Sequence, residues 1–223
     1  MTNPVIRLEF KKFGGLKYIS HLDLQRAVLR FIKRAGIPIR YTEGFNPHPK
    51  LVFALTLSVG TESDCELVDI YLARDPENPE TPIITPDTFV SRLGAVLPKG
   101  LEIVSAYFPE TDFADIESSD YLITLFKSCD IDVAKRLSEI LSEPLEIVKK
   151  GKAGERVVNI VPMVFSWEVL EENGETCTLR ATLCARQNEY LNPDHFVKGL
   201  MSKCPEIDNW LVKRVSINFK EGK

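Results

Sequence analysis

The sequence has no long hydrophobic run and no low-complexity tract. No uninterrupted apolar stretch approaches the roughly 20 residues that a membrane-spanning helix needs, and residues 1–4 lead straight into an alternating strand pattern. We therefore expect a cytoplasmic protein without a membrane partner. The composition, 44% hydrophobic and 27% charged, is that of an ordinary folded protein and argues against a disordered chain.

Cysteine is also sparse, and several familiar signatures are missing. The five cysteines contain no Cys-x-x-Cys pair, so we expect them to be reduced and mostly structural. The chain lacks a Gly-x-x-x-x-Gly-Lys phosphate loop, a Gly-x-Gly-x-x-Gly fingerprint, a His-Glu-x-x-His pair and a Gly-x-Ser-x-Gly elbow. We accordingly expect no cofactor and no metal ion.

What the sequence does have is an uneven distribution of charge. The net charge is only −4, but residues 1–50 contain ten Lys and Arg residues against three acidic residues. This first quarter therefore carries a charge of +7, which leaves −11 for the rest of the chain. A basic segment on an acidic body indicates a localised face that binds anions.

Glycine, proline and hydrophobic periodicity divide the chain into two similar halves. Residues 1–108 and 120–223 each read as βαβββαβ, and the acidic segment 109–119 reads as a linker. This order predicts an α+β fold with two tandem ferredoxin-like (split βαβ) halves, each with an extra strand or hairpin. A coincidental α+β order is the alternative. The predicted strands are 5–10, 37–42, 51–57, 66–73, 101–108, 121–127, 145–149, 157–170, 176–185 and 211–219; the predicted helices are 20–35, 85–97, 132–141 and 193–203, and a proline-rich loop precedes the second helix.

The first predicted helix has two distinct faces. It opens at Ser20, with Asp23 three residues later in a pattern close to a capping box, and it is closed by Gly36 and Pro38. A step of about 100° per residue places Leu24, Ala27, Val28, Phe31, Ile32 and Ala35 on one face, and Arg26, Arg30 and Lys33 on the other with Arg34 at its flank. Like charges four residues apart repel each other and destabilise a helix slightly, so an anion such as phosphate would relieve this repulsion. A solvated helix face is the alternative.

The segment Gly44–Lys50 reads Gly-Phe-Asn-Pro-His-Pro-Lys and predicts a stiff loop. Its two prolines push Asn46 and His48 toward extended conformations. Phe45 offers a stacking surface, Asn46 and His48 offer hydrogen bonds and Lys50 offers charge, a set suited to an unpaired base and its phosphate. A rigid turn with a buried Phe45 is the alternative.

Two histidines are the only candidates for catalysis. His21 stands at the start of the first helix, where the dipole disfavours an imidazolium, so a neutral His21 could act as a base. With His48 it could form a general acid and base pair of the ribonuclease kind. A structural histidine at a helix start is the more common case.

Several segments together resemble the radical-SAM-linked domain of unknown function. The resemblance is dense in residues 5–72 and is carried by Tyr18-Ile19-Ser20-His21-Leu22-Asp23, Arg30, Arg34-Ala35, Gly44-Phe45-Asn46-Pro47-His48-Pro49-Lys50 and Leu57-Ser58-Val59-Gly60. It implies an accessory role in RNA or ribosome-related modification, beside a separate radical SAM enzyme. The chain has no Cys-x-x-x-Cys-x-x-Cys of its own, so it would be the stand-alone form.

These observations favour a non-catalytic protein that binds RNA or presents a substrate to a separate radical SAM enzyme, with tRNA, rRNA and the ribosome as the candidate targets. The residues expected to contact nucleic acid are Lys17, Arg26, Arg30, Lys33, Arg34, Arg40, Phe45, Asn46, His48 and Lys50. Two alternatives stay open: a metal-independent endoribonuclease that uses His21 and His48, and a pure protein-interaction module.

Overall fold

A computed structural model describes residues 4–74, 84–151 and 154–220. It divides the chain into two units, Met1–Phe113 and Ala114–Lys223. The described residues form a mixed α+β structure with four α-helices and mainly antiparallel sheets, which confirms the predicted α+β class. The proline-rich loop that was expected before the second helix lies outside the described residues. None of the four described helices is long and apolar enough to cross a bilayer.

The first unit is an antiparallel sheet with two helices. The chain order is β1 (Val5–Lys12), α1 (His21–Arg34), β2 (Leu51–Phe53), β3 (Glu62–Tyr71), α2 (Pro86–Gly94) and β4 (Leu101–Tyr107). Strand β1 pairs with β3 and with β4, and β2 pairs with β3, so the order within this unit is β4-β1-β3-β2. Every one of these pairings is antiparallel.

The core of the first unit follows from strand alternation. Ile6, Leu8 and Phe10 point to one face of β1, because successive side chains on a strand face opposite sides. The apolar sides of α1 and α2 contribute to the same cluster. Its buried members are Ile6, Leu8, Phe10, Leu24, Val28, Ile32, Ile37, Ile39, Val68, Ile70, Leu72, Ile84, Phe89, Leu93 and Leu101.

The other face of β1 holds a buried ion pair. Arg7 is only 1% exposed, and its guanidinium donates to both carboxylate oxygens of Asp69 on β3, at 2.7 and 2.9 Å. It also donates to the hydroxyl and the carbonyl oxygen of Thr111 and lies 4.0 Å from the centre of the Phe113 ring. Arg7 therefore ties two strands to the segment that ends the unit.

The strands predicted at 37–42 and 51–57 differ from what is observed. Residues 37–42 form isolated bridges at Ile39 and Tyr41 and no regular strand, since Pro38 has no N–H to continue a ladder. The strand predicted at 51–57 ends at Phe53. The chain then turns at Gly60, which has a φ of 95° and donates its N–H to the carbonyl oxygen of Lys17 at 2.8 Å.

The second unit has the same order of strands and helices with three additional strands, β6, β7 and β10. It comprises β5 (Ile116–Lys127), α3 (Val133–Leu141), β6 (Glu146–Gly151), β7 (Gly154–Asn159), β8 (Val164–Glu172), β9 (Thr176–Arg186), β10 (Glu189–Tyr190), α4 (Pro193–Met201) and β11 (Ile207–Phe219). Within the unit, β5 lies between β11 and β9, and both β8 and β10 pair with β9. Strands β6 and β7 pair with each other.

In the second unit the predicted linker and the strand predicted at 157–170 also differ from what is observed. Strand β5 begins at Ile116, inside the segment 109–119 that was predicted as a linker, because Ile116 and Ser118 are buried. The strand predicted at 157–170 is interrupted by a 3-10 turn at Val161–Met163. The Asn159 side-chain oxygen accepts from the N–H groups of Leu145 and Val161, both at 3.1 Å, and this turns the chain.

Candidate nucleic-acid interface

Helix α1 is capped at both ends as its sequence predicts. The Ser20 hydroxyl accepts from the Asp23 N–H at 3.2 Å and donates to the Asp23 carboxylate at 2.7 Å. At the other end Gly36 has a φ of 64°, and the N–H groups of Gly36 and Ile37 donate to the carbonyls of Lys33 and Ile32. This is the Schellman pattern, in which a glycine takes the left-handed conformation. The two caps define where α1 begins and ends.

The predicted faces of α1 are confirmed. Leu24, Val28 and Ile32 are buried, whereas the four cations on the other side are exposed. We call these cations the cationic helix face: Arg26, Arg30, Lys33 and Arg34.

The cationic helix face has little internal neutralisation. Arg26 is 3.3 Å from the Asp23 carboxylate, but both side chains are mostly exposed, so this pair is weak. Within the described residues, Arg30 and Arg34 make no ion pair. Lys33 lies 5.7 Å from the centre of the Tyr41 ring. The face is therefore a row of largely uncompensated positive charge.

Lys17 lies apart from most of this face. Its ammonium is 3.5 Å from the Glu62 carboxylate, and its side chain is only 19% exposed. Lys17 precedes the first turn of α1 while Lys33 belongs to the last, and 14 residues of helix span about 20 Å. Lys17 is thus paired with a protein carboxylate and lies at the opposite end of α1 from Lys33.

The Gly44–Lys50 loop is closed by hydrogen bonds at its base. The Thr42 N–H donates to the His48 carbonyl at 2.8 Å, and the His48 N–H donates to the Thr42 hydroxyl at 3.1 Å. Tyr41 and Pro49 form a bridge, and the Lys50 N–H donates to the Arg40 carbonyl at 2.8 Å. These bonds hold the loop as a closed arm, in agreement with the stiffness predicted from its prolines.

Phe45 stands fully exposed in this loop. The alternative of a turn with a buried Phe45 is therefore wrong. Asn46 is exposed beside it, and the Lys50 ammonium lies 3.9 Å above the centre of the Tyr71 ring. A fully exposed aromatic ring on a closed loop has the geometry of a stacking surface for a flat partner.

His48 is exposed but is not a free arm. Its Nδ1 lies 3.1 Å from the Thr42 hydroxyl and 3.3 Å from the Asn46 carbonyl oxygen. A carbonyl oxygen only accepts, so the Asn46 contact is a hydrogen bond in the tautomer that carries its proton on Nδ1. Nε2 is then left as an acceptor that can meet a ligand.

His21, the first residue of α1, is partly buried. Its Nε2 is 2.9 Å from the Gln25 amide nitrogen, and its ring meets the Phe53 ring edge-on with centres 5.3 Å apart. Burial lowers the pKa of His21 and favours the neutral ring, while Glu66 opposes and Lys12 reinforces this effect. The partners of His21 differ from those of His48, and no described contact joins the two rings.

Sequence reasoning missed two groups of residues. Lys12 and Glu66 are 3% and 2% exposed and lie on the same face as the core, near His21. The alternation of β1 carries this signal, because Lys12 continues the series of Ile6, Leu8 and Phe10. The second group consists of Ile39, Tyr41, Ala73 and Arg74. Together with the predicted residue Arg40 they line an open groove of about 540 Å³, which we call the Tyr41 groove.

The groove and its neighbours bring most of the predicted contact residues together. Arg40 lines the groove, and Lys33 lies beside Tyr41. The Gly44–Lys50 loop adjoins the groove because Tyr41 bridges to Pro49. Arg40 also forms an ion pair with Glu43 at 3.0 Å. The first unit thus presents helix cations, a groove with two arginines and an exposed aromatic loop along connected segments of chain.

The fold and this surface define the class: a mixed α+β protein with a cationic and aromatic face on its first unit. The chain belongs to a family described as an uncharacterized protein conserved in bacteria (DUF2344), whose sequence model matches residues 6–193. This confirms the prediction of an uncharacterised domain family. The family description names no radical SAM enzyme, so that link stays a prediction. No curated protein matches the sequence.

Solved structures show a likeness of fold alone. An H/ACA RNP bound to a substrate RNA containing 2′-deoxyuridine is similar with a TM-score of 0.50 and 15% identity, over 98% of this chain and 49% of that chain. A Cbf5-Nop10-Gar1 complex has a TM-score of 0.49 and 16% identity, over 98% and 50% of the two chains. An archaeal box H/ACA sRNP Nop10-Cbf5 complex has a TM-score of 0.46 and 11% identity, over 100% and 60%. The chain spans about half the length of the first two structures.

Proposed function

We propose that the protein is a non-catalytic subunit that binds RNA and presents it to a separate radical SAM enzyme. The observation that carries the RNA part is the continuity of charge and aromatic surface on the first unit. The last turn of α1 meets Tyr41, and Tyr41 bridges to Pro49 in the Gly44–Lys50 loop. A partner that follows this path meets cations first and exposed rings next.

RNA fits this path better than an acidic protein surface does. Phosphates would relieve the repulsion between Arg26, Arg30 and Arg34, which recur at four-residue spacing on α1. The exposed Phe45 ring offers a surface on which an unpaired base stacks. A partner that presents only negative charge would make no use of this ring. The Asn46 amide and the His48 Nε2 supply hydrogen bonds to base edges.

The radical SAM part of the proposal rests on the resemblance of residues 5–72 to the radical-SAM-linked domain. One of the structures of similar fold is an RNP bound to a substrate RNA. That likeness concerns the fold, so the RNA proposal for this chain stands on the charges and rings of its first unit. Purification of a tagged protein from its native cells, after nuclease treatment, tests for a radical SAM partner by mass spectrometry; failure to recover one in repeated, cross-linked preparations would contradict this part.

For the fold we propose the finer description of two ferredoxin-like halves. The order β4-β1-β3-β2 in the first unit supports it, because a split βαβ fold has its first and third strands in the middle. The order β11-β5-β9-β8 supports it for the second unit, with β6 and β7 as the additional hairpin. Cross-strand amide contacts by NMR test the proposal, and a parallel pairing of β1 with β3 would contradict it.

Salt dependence tests RNA binding. Fluorescence anisotropy with a labelled single-stranded RNA, repeated over a series of salt concentrations, gives the slope of log affinity against log salt. Each phosphate contact on a single strand contributes roughly 0.7 to this slope, so the Arg26→Ala, Arg30→Ala double variant should reduce its magnitude by about 1.4. Lys135→Ala, Lys203→Ala is the matched control, since both lysines are exposed in the second unit. An unchanged slope in the arginine variant would contradict the proposal.

A further inference from the structure

The Tyr41 groove has the size and the lining of a nucleotide site. Its volume of about 540 Å³ falls within the range of roughly 300 to 1,000 Å³ that small-ligand pockets occupy. Tyr41, which is 43% exposed, and two arginines, Arg40 and Arg74, are among the residues that line it. An aromatic face next to positive charge is the combination that holds a base and its phosphates.

The groove has a rigid backbone, which suits a binding site. The Arg40 N–H donates to the Tyr71 carbonyl at 2.8 Å, and the Ala73 N–H donates to the Pro38 carbonyl at 2.9 Å. Ile39 is buried and bridges to Leu72. Both walls of the groove are therefore fastened to the end of β3, and a ligand would not have to order them.

The Glu43 carboxylate competes with an anionic ligand for Arg40. The Glu43 carboxylate lies 3.0 Å from the Arg40 guanidinium, but the Glu43 side chain is 91% exposed. An ion pair this exposed contributes little, so a phosphate group can replace the carboxylate. Removal of the Glu43 carboxylate should therefore strengthen the binding of an anion at Arg40, while every positively charged side chain stays in place.

We propose that the Tyr41 groove binds one unpaired nucleotide of a single-stranded RNA, with its base stacked on Tyr41 and its phosphates on Arg40 and Arg74. This inference rests on the proposed RNA-binding function and specifies its substrate class. Lys33, 5.7 Å from the ring centre, continues the positive charge from the groove to the cationic helix face. The strand would leave the groove along α1 on one side and toward Phe45 on the other.

Duplex RNA does not meet the same requirements. Its bases are stacked on one another and are not available to an external ring, and its recognition relies on the backbone and on shape. An acidic protein surface would use the arginines but not the Tyr41 ring. The ring therefore distinguishes a single-stranded nucleic acid from both of the other partners.

The test compares three probes and four variants by fluorescence anisotropy at one salt concentration. The probes are a fluorescein-labelled oligouridylate, a duplex of the same length, and a ribose-phosphate oligomer without bases. The variants are Tyr41→Leu, Tyr41→Phe, Glu43→Gln and, as the control, Phe165→Ala. Phe165 is similarly exposed in the second unit and lies 5.3 Å from an arginine, Arg186. Thermal unfolding of each variant checks that it is folded.

We expect the wild-type protein to bind the oligouridylate at least about 5-fold more tightly than the oligomer without bases, since stacking contributes on this scale. Tyr41→Leu should reduce that preference to the part that stacking on Phe45 supplies, Tyr41→Phe should keep it in full, and Glu43→Gln should bind roughly 2-fold more tightly. Phe165→Ala should match the wild type. If the wild type binds RNA with the expected salt slope but Tyr41→Leu equals Phe165→Ala, the groove inference is overturned and the RNA-binding function stands. If the wild type binds none of the probes, the RNA-binding function itself is overturned.

Discussion

The Lys33 ammonium lies 5.7 Å from the centre of the Tyr41 ring, which places the last turn of α1 beside the segment that opens the Gly44–Lys50 loop. Two features that are separate in the sequence, a basic helix and a loop rich in proline, thereby become neighbours. The Schellman turn at Gly36 makes this possible, because it ends α1 and sends the chain back along the sheet.

The buried pair between Arg7 and Asp69 should be important for stability. Asp69→Ala leaves a guanidinium that is only 1% exposed without its carboxylate, and we expect a loss of about 3 to 5 kcal/mol in the free energy of unfolding. Urea denaturation measures it. Glu102→Ala is the control, because Glu102 pairs with Lys11 on the surface and its loss should change stability by less than about 1 kcal/mol. Equal effects of the two variants would contradict this assignment.

Two glycines next to helix ends should respond in opposite directions to alanine. Gly36 has a φ of 64°, so Gly36→Ala forces a Cβ into the left-handed region and should cost about 1 to 2 kcal/mol. Gly94, the last residue of α2, has no positive φ, and an added Cβ would meet nothing within 4 Å. Gly94→Ala should therefore stabilise the protein by about 0.5 kcal/mol. Chemical denaturation measures the free energy of unfolding of both variants. If both substitutions destabilise the protein, the positive φ of Gly36 does not explain the loss in Gly36→Ala.

The features that sequence predicted well are the local ones. The 3.6-residue period of α1 separates Leu24, Val28 and Ile32 from its cations, and the structure buries and exposes them accordingly. The Tyr41 groove could not be predicted in this way. Arg74 joins Arg40 there only because Ile39 pairs with Leu72, a contact between distant parts of the chain that no periodicity reveals.

Strand ends were predicted less well for a related reason. The predicted first strand ends at Phe10, whereas the observed strand and its period-two alternation continue to Lys12, which is buried. Pro38 and Pro162 interrupt segments whose apolar content had suggested continuous strands. In both places the missing N–H outweighs the hydrophobic pattern.

Stability should fall as the pH drops below neutral, in part through His21. Burial lowers the pKa of His21 in the folded protein, so the unfolded chain takes up this proton first, near its ordinary pKa of about 6.5. The stabilising contribution of the neutral ring is therefore complete above that pH and is lost as the pH falls toward the folded pKa. His21→Gln should flatten this part of the profile when unfolding is measured between pH 5 and 8.

The pKa of His195 is also lowered, mainly by burial, so this residue contributes with the same sign. His195→Gln is the comparison, because His195 lies in the second unit and His21 in the first. A pH profile that is unchanged in His21→Gln but flattened in His195→Gln would contradict the environment assigned to His21.

We expect no ribonuclease activity from the two histidines. The His21 ring is engaged with Gln25 and Phe53, while the His48 Nδ1 is held by Thr42 and the Asn46 carbonyl, so the contacts do not pair them as acid and base. Labelled RNA incubated with the purified protein in EDTA should stay intact, for the wild type and for His48→Ala alike. Cleavage that His48→Ala abolishes would establish the enzyme and refute the non-catalytic account.

Photo-crosslinking is the most direct test of the central claim, that RNA lies across the Tyr41 groove and the Gly44–Lys50 loop. A single-stranded RNA that contains 4-thiouridine is bound to the full chain, irradiated and digested, and the linked peptides are identified by mass spectrometry. The account predicts links within residues 40–50, with Tyr41 and Phe45 as the main sites, and a loss of the Phe45 link in Phe45→Ala. Links that fall only in residues 114–223 would contradict it.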